Sequence, residues 1–143
     1  MILRPARSTD AGKLGAMITQ AVAARDWKPL LHTGAEDIAH MGRLIDYGWV
    51  MVAEDTRVLG FLAREEDYIH ALFVDETAQN QGVGSALLQD AMDKRSKLDL
   101  WTFVENTGAQ RFYERHGFSE THRTDGSRNE EQLPDIHFQW EAP

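Results

Sequence analysis

The feature that most constrains the fold is a glycine loop that joins an apolar segment to an amphipathic one. The loop runs Gln79-Asn80-Gln81-Gly82-Val83-Gly84-Ser85. Gly82 and Gly84 let the backbone approach a ligand closely, because neither residue carries a Cβ. The amides at the start of the helix that follows lack partners and lie at the positive end of the helix dipole. The pattern therefore predicts an anion site, for a phosphate or a pyrophosphate.

The loop differs from two other phosphate-binding motifs. No Lys-Ser or Lys-Thr pair follows Gly84, as a Walker A loop requires, and Leu87 stands where a dinucleotide fingerprint has its third glycine. The loop also comes too late in the chain for a first Rossmann unit. An NTPase and a dehydrogenase are therefore disfavoured. A glycine turn that does no more than start a helix is the alternative left open by the loop taken alone.

Apolar periodicity predicts four helices and seven strands. The first helix is predicted to follow a cap at Ser8-Thr9-Asp10 and to run through Val22. The other three are predicted over Glu36–Asp46, Gly84–Lys94 and Asn106–His116. Strands are predicted over 2–6, Trp49–Glu54, Val58–Ala63, Tyr68–Val74, Leu98–Val104, Phe118–His122 and Ile136–Trp140. Pro5 indicates that the first strand lies at an edge of the sheet. The fourth and fifth strands are nearly continuous apolar runs, which predicts that both of their faces are buried. The order predicts an α+β or mixed α/β sheet.

Composition narrows the classes of protein further. The length of 143 residues predicts one domain, 1–143. The absence of cysteine excludes disulfides, thiolate metal sites and a thiol nucleophile. The net charge of −8 disfavours nucleic acid and anionic membranes as partners. No apolar run is long enough for a bilayer and the N-terminus does not resemble a signal peptide, so we expect a cytoplasmic protein.

A second motif follows the fifth predicted strand. Asn106 is placed to cap the next helix. Ala109 and Tyr113 are four residues apart and so share one face of that helix. The small alanine would leave room for a ligand, and the tyrosine would present its hydroxyl beside it. The alternative for Tyr113 is an ordinary core tyrosine whose hydroxyl binds water.

Together the two motifs resemble the GNAT superfamily of acyl-CoA-dependent N-acyltransferases. The family's Q/R-x-x-G-x-G/A loop is matched by Gln79, Gly82 and Gly84, and its N-x-x-A-x-x-x-Y-x-x-x-G-F segment by Asn106, Ala109, Tyr113, Gly117 and Phe118. The predicted order of elements also matches, so the resemblance covers nearly the whole chain. It implies a central sheet of about seven strands, mixed but mostly antiparallel, with flanking helices.

The resemblance implies acetyl-CoA as the cosubstrate, without a metal. Its pyrophosphate would be held by the loop amides of Gln81, Gly82, Val83, Gly84 and Ser85, with Gln79 and Asn80 at its edge. The fourth and fifth strands would splay apart, so that the pantetheine arm pairs with the backbone of Leu72, Phe73 and Val74. Asn106 and Ala109 would line the far side of the arm. The histidines show no metal-ligand spacing.

The implied reaction is direct attack of a neutral amine on the thioester. Tyr113 matches the family's acid, which protonates the leaving thiolate, and an amide near Phe73 would stabilise the oxyanion. Many relatives have a glutamate base where this chain has Tyr68. We expect His70, on the same strand face, as the base, because imidazole titrates near neutral pH; a merely hydrogen-bonded histidine is the alternative. Glu66 is a further candidate for the base, acting through a water molecule, and its neighbour Glu65 is another. Both residues also suit a solvated loop.

The acceptor is expected to be a primary amine on a small molecule, an amino acid or a peptide. We expect Trp27, His32, Tyr68 and Asp135 to contact it, because the segment 27–33 and the connection between the last two strands would wall its site. The acids of that connection suit a cationic amine, but they equally suit a solvated hairpin. A homodimer is expected because family members are often dimers. The rival hypothesis is a non-catalytic acyl-CoA-binding regulatory module of the same fold.

Overall fold

The computed structural model describes residues 1–143 and is organised by one seven-stranded sheet. The strands are β1 (Ile2–Pro5), β2 (Val50–Glu54), β3 (Val58–Glu65), β4 (Tyr68–Val74), β5 (Lys97–Phe103), β6 (Ser119–Thr124) and β7 (Asp135–Glu141). The helices are α1 (Ala11–Ala23), α2 (Gly34–Asp46), α3 (Val83–Lys94) and α4 (Thr107–Arg115). The strand order is β1-β2-β3-β4-β5-β7-β6, and only β4 and β5 are parallel. The predicted fold class is confirmed.

The helices form one layer on each face of the sheet. On one face α1 and α2 contribute Leu14, Met17, Met41 and Leu44 to a core with β2 and β3. The two helices pack closely because Gly15 has no side chain: a Cβ there would lie 2.6 Å from Ile38 Cα. On the other face α3 and α4 cover a second core that includes Leu87, Leu88, Leu98, Tyr113 and Phe138. None of the four helices has the length and apolar character needed to span a bilayer.

The helix starts show how local capping sets boundaries. The second helix begins at Gly34, two residues before the predicted Glu36, because Thr33 and Glu36 form a capping box. Glu36 N–H donates to Thr33 Oγ1 at 3.1 Å, and Thr33 N–H donates to Glu36 Oε1 at 2.9 Å. The predicted cap at residues 8–10 is a short 3₁₀ turn, and α1 begins after it at Ala11.

The prediction that the fourth and fifth strands are buried on both faces is wrong. In β4 only Ile69 is fully buried, because the strand departs from β5 and leaves its edge open. In β5 burial alternates, with Leu98 and Leu100 in the core and Trp101 exposed. The apolar runs therefore mark strands beside a groove.

Candidate active site

The cleft of the molecule opens where β4 and β5 part. The two strands share one bridge, Tyr68 opposite Asp99. Beyond it, β4 carries a bulge: Ala71 pairs with Ala63 and Ile69 with Arg64, which leaves His70 as an extra residue. A bulge bends its strand and disrupts the ladder. The cleft that results has a volume of about 1420 Å³ and runs from the glycine loop to the connection between β6 and β7.

Backbone groups of β4 face this gap without partners. Asp75 N–H donates to Leu59 O at 2.8 Å, on the β3 side. Because antiparallel pairing alternates, Phe73 also faces β3, whereas the N–H and C=O groups of Leu72 and Val74 point into the gap. Of the three residues predicted to pair with pantetheine, Leu72 and Val74 therefore offer backbone groups. Phe73 contributes its ring, stacked on Phe61 at 5.5 Å between centroids.

The glycine loop presents the unpaired helix-start amides expected from the sequence. Gly82 has a φ of +80° and caps α3, so its left-handed backbone requires glycine. The first helical hydrogen bond joins Ala86 N–H to Gly82 O at 3.0 Å. The amides of residues 82–85 make no hydrogen bond within the chain, and they lie at the positive end of a 12-residue helix. Gly84 packs near Phe112, and a Cβ there would lie at an ordinary contact distance of 3.4 Å from Phe112 Cζ.

Side chains around the loop take different positions. Gln79, Asn80 and Ser85 line the cleft, whereas Gln81 is turned outward toward Thr77 O. Ser85 Oγ also lies 3.0 Å from His116 Nε2. His116 was absent from the residues predicted for the site, because a single histidine at a helix end carries no sequence signal.

Asn106, Ala109 and Tyr113 lie together along the opposite wall. Asn106 caps α4, since Ala109 N–H donates to its Oδ1 at 3.2 Å. The ring of Tyr113 is buried and packs edge-on against Phe118, with 5.4 Å between centroids. Its hydroxyl has no hydrogen-bond partner in the chain. Burial alone raises the pKa of Tyr113, so the hydroxyl stays protonated at neutral pH and is available to donate.

The candidate bases occupy different positions relative to the cleft. His70 lines the cleft, stacked on Trp49 with 5.0 Å between centroids. Its Nε2 lies 3.0 Å from Glu65 Oε1, so the imidazole has a carboxylate partner. Glu66 lies outside the cleft lining, in the tight turn between β3 and β4, where its φ is +55° and Arg64 donates to its carbonyl. The structure thus brings His70 and Glu65 together and leaves Glu66 apart.

Three of the four residues predicted to contact the acceptor line the far end of the cleft. They are Trp27, Tyr68 and Asp135. Asp135 is held by the Thr124 hydroxyl and by Asn129 Nδ2, the latter at 3.2 Å. Burial raises the pKa of Tyr68, and the nearby carboxylates of Asp99 and Asp135 add to the shift.

The fourth residue predicted to contact the acceptor, His32, lies outside that lining. Its Nε2 lies 2.6 Å from Glu130 Oε1 and so joins the connection between α1 and α2 to the connection between β6 and β7. Sequence reasoning also missed Lys28, whose Nζ lies over the ring of Phe103 at 5.5 Å from its centroid. Nothing in the sequence shows that residues 28 and 103 meet. Nowhere do three His, Asp or Glu side chains come together in an arrangement suited to a metal ion.

The family comparison agrees with this geometry. A model of the acetyltransferase (GNAT) domain family matches residues 46–120, which is more than half of the chain. The chain belongs to the GNAT acetyltransferase family. The matched stretch holds the whole of the splayed strand pair, the glycine loop and α4. The acceptor walls at residues 24–33 and 125–134 lie outside it.

Individual GNAT relatives are more distant. The chain is 34% identical over 94 residues to the peptidyl-lysine N-acetyltransferase YiaC of Escherichia coli, which covers 64% of this chain and 62% of the relative. It is 31% identical over 77 residues to the peptidyl-lysine N-acetyltransferase YjaB of Salmonella typhimurium, covering 54% and 53%. The matches span between 27% and 62% of the curated relatives' lengths.

A solved GNAT-fold structure resembles the whole chain. It is that of yncA, a putative acetyltransferase from Salmonella typhimurium, with acetyl-CoA. The TM-score is 0.77 at 18% identity, over 100% of this chain and 94% of that one. At this identity the likeness establishes the fold.

Proposed function

We propose that this protein transfers an acetyl group from acetyl-CoA to a primary amine, by direct attack within a ternary complex. The observation that carries the proposal is the continuity of unpaired backbone groups along one cleft. Those of Leu72 and Val74 lead to the free amides of residues 82–85. In CoA the pantetheine arm carries two amides and is joined to a pyrophosphate. Its amides match the backbone groups of the strand edge, and the pyrophosphate matches the free amides of the loop. Family membership supports the same assignment.

The residues along the cleft fit acetyl-CoA in a defined order. The amides of residues 82–85 would bind the pyrophosphate, with Gln79 and Asn80 beside it. The backbone of Leu72 and Val74 would hold the pantetheine arm, and Asn106 and Ala109 would line its other side. The thioester then belongs near the bulge at His70, where the strands separate.

Three groups of the chain would carry the chemistry. His70, paired with Glu65, would accept the proton that leaves the amine as its nitrogen bonds to the thioester carbon. Leu72 N–H would donate to the carbonyl oxygen as negative charge develops there. Tyr113 would give its proton to the sulfur as the carbon–sulfur bond breaks, which releases the acetylated amine and free CoA.

Thiol release from acetyl-CoA, measured with a panel of primary amines, tests the proposal. We expect amine-dependent thiol release, and a rise in melting temperature with CoA that ATP and NAD do not reproduce. A CoA-specific thermal shift without amine-dependent release would support the non-catalytic acyl-CoA-binding module instead. No CoA-specific thermal shift at all would contradict both assignments.

Three further proposals rest on the sequence analysis, and one of them, the homodimer, on the family resemblance. Residues 1–143 would act as one domain, the protein would work in the cytoplasm, and it would form a homodimer. Limited proteolysis, cell fractionation and light scattering test the three in turn. Their failure would leave the proposal for the cleft untouched, since that depends on groups of one chain.

A further inference from the structure

The end of the cleft that lies away from the glycine loop has an unusual charge. We call it the acceptor end and define it by Trp27, Lys28, Phe103, Arg128 and Asp135, all of which line the cleft. The chain as a whole carries 15 basic and 23 acidic residues. Two cations among the lining residues of this end are therefore more than the average surface of this protein would provide.

Lys28 and Arg128 supply the positive charge of the acceptor end. Lys28 is half-buried, its ammonium rests over Phe103, and no carboxylate lies within ion-pair distance of it. Burial lowers the pKa of Lys28, as expected for a cation with incomplete compensation. Arg128 is exposed and also forms no ion pair, so the cost of burial falls on Lys28. A half-buried cation without a partner is costly to keep, and an anionic ligand would offset that cost.

Two carboxylates, Asp135 and Glu131, also line the acceptor end, and Asp135 is already occupied. Asp135 accepts hydrogen bonds from Thr124 and Asn129, which ties it to the β6–β7 connection. Glu131 is close enough to affect the titration of Lys28 but forms no ion pair with it. The acceptor end therefore offers free positive charge next to two aromatic rings, Trp27 and Phe103, whose centroids are 5.8 Å apart.

We propose that the acceptor is a small amine that carries a carboxylate and an apolar or aromatic group, the chemistry of a free amino acid. The proposal rests on the proposed acetyl transfer. Lys28 and Arg128 bind the carboxylate, and Trp27 and Phe103 pack against the apolar group. The bridge between His32 and Glu130 joins the two connections that carry Lys28 and Arg128.

Matched acceptors test the carboxylate. Thiol release is measured with L-phenylalanine, L-phenylalaninamide and phenethylamine, each kcat/KM being corrected to the neutral amine fraction, and with a lysine-containing peptide. We expect phenylalanine to exceed the amide and the amine by about tenfold to a hundredfold, the range of a charge-assisted hydrogen bond. Equal values, or a preference for the peptide, would overturn the amino acid assignment and leave acetyl transfer standing. If no amine is acetylated, the proposed transfer itself fails.

Charge variants locate the contact. Lys28→Met should remove the preference for phenylalanine over phenethylamine and leave the KM for acetyl-CoA unchanged, and Arg128→Gln should act in the same direction. Lys97→Met is the matched control, because Lys97 is exposed on β5 outside the cleft and its loss changes the net charge equally. A preference that survives both Lys28→Met and Arg128→Gln would overturn the assignment, as would its loss in Lys97→Met.

Discussion

The two ends of the cleft are lined by different kinds of chemical group. At the glycine loop the groups that face the ligand are backbone amides, presented by a helix start and by a strand edge. At the acceptor end they are side chains from the connections 24–33 and 125–134, which lie far apart in the chain. Backbone groups are the same whatever the side chains, so the first end suits one shared ligand. The second end can differ from one relative to the next.

Tyr113 lies between the two ends, and its loss should have the largest effect. Tyr113→Phe keeps the buried ring and removes only the hydroxyl proton. General acid catalysis contributes about a hundredfold to ten-thousandfold, and kcat should fall by an amount in that range. The KM for acetyl-CoA should change little. Rapid-mix thiol release measures the rate, and turnover that keeps the wild-type pH profile would remove Tyr113 from the mechanism.

A substitution at Gly82 tests the glycine-loop end of the cleft. Gly82→Val forces a β-branched residue into a left-handed conformation and should weaken CoA binding by about tenfold to a hundredfold, from strain of about 1–3 kcal/mol. Gly42→Ala is the control, since a Cβ added to that helical glycine would meet no other atom within 4 Å. Isothermal titration with CoA reports the affinity. Wild-type affinity in Gly82→Val would mean that the loop amides do not hold the ligand.

Asp75 anchors the start of the loop segment to α1 and should show a pH signature. Its carboxylate accepts from Lys13 Nζ at 2.6 Å and from Thr77, and these bonds hold its pKa well below the usual range. A depressed pKa stabilises the fold above the carboxylate's ordinary pKa of about 3.9, and the gain is lost as the pH falls below it.

The matching variant is Asp75→Asn, which keeps the shape of the side chain and removes its charge. It should lower the free energy of unfolding by about 1–3 kcal/mol at pH 7. The difference from the wild type should shrink as the pH falls from 4 toward 2. Urea unfolding across this range measures it, and a difference that is constant with pH would show that the charge of Asp75 is not what stabilises the segment.

The smallest effect is expected at the acceptor end, from the bridge between the two connections. His32→Ala breaks an ion pair whose partners are both about half-exposed or more, and such pairs contribute about 0–1 kcal/mol. Stability should barely change, while the KM for the amine should shift and the KM for acetyl-CoA should not. An equal shift in both constants would show that the two ends are not independent.

Local patterns in the sequence were enough to predict the features that depend on only a few neighbouring residues. Gly82 acts through its backbone and Asn106 through its side-chain Oδ1, each within three or four residues, so spacing alone predicted the free amides at the start of α3 and the cap of α4. The order of elements along the chain and the mixed, mostly antiparallel sheet followed from periodicity and the resemblance, and the structure confirmed them. The starts of α3 and α4 differed from the prediction by one residue, and α2 begins two residues early because Thr33 and Glu36 form a capping box.

What the sequence by itself determined is the set of elements and the glycine loop that begins α3, since both arise from short-range backbone geometry. Only the tertiary structure decided which groups meet across the cleft. The bulge at His70 turned an apolar strand into an open edge, Ser85 met His116, and Lys28 came to rest over Phe103. Each of these results joins segments that are distant in the chain or depends on strand register. Register and loop packing are settled by the whole fold together, because neither is encoded in any short run of residues.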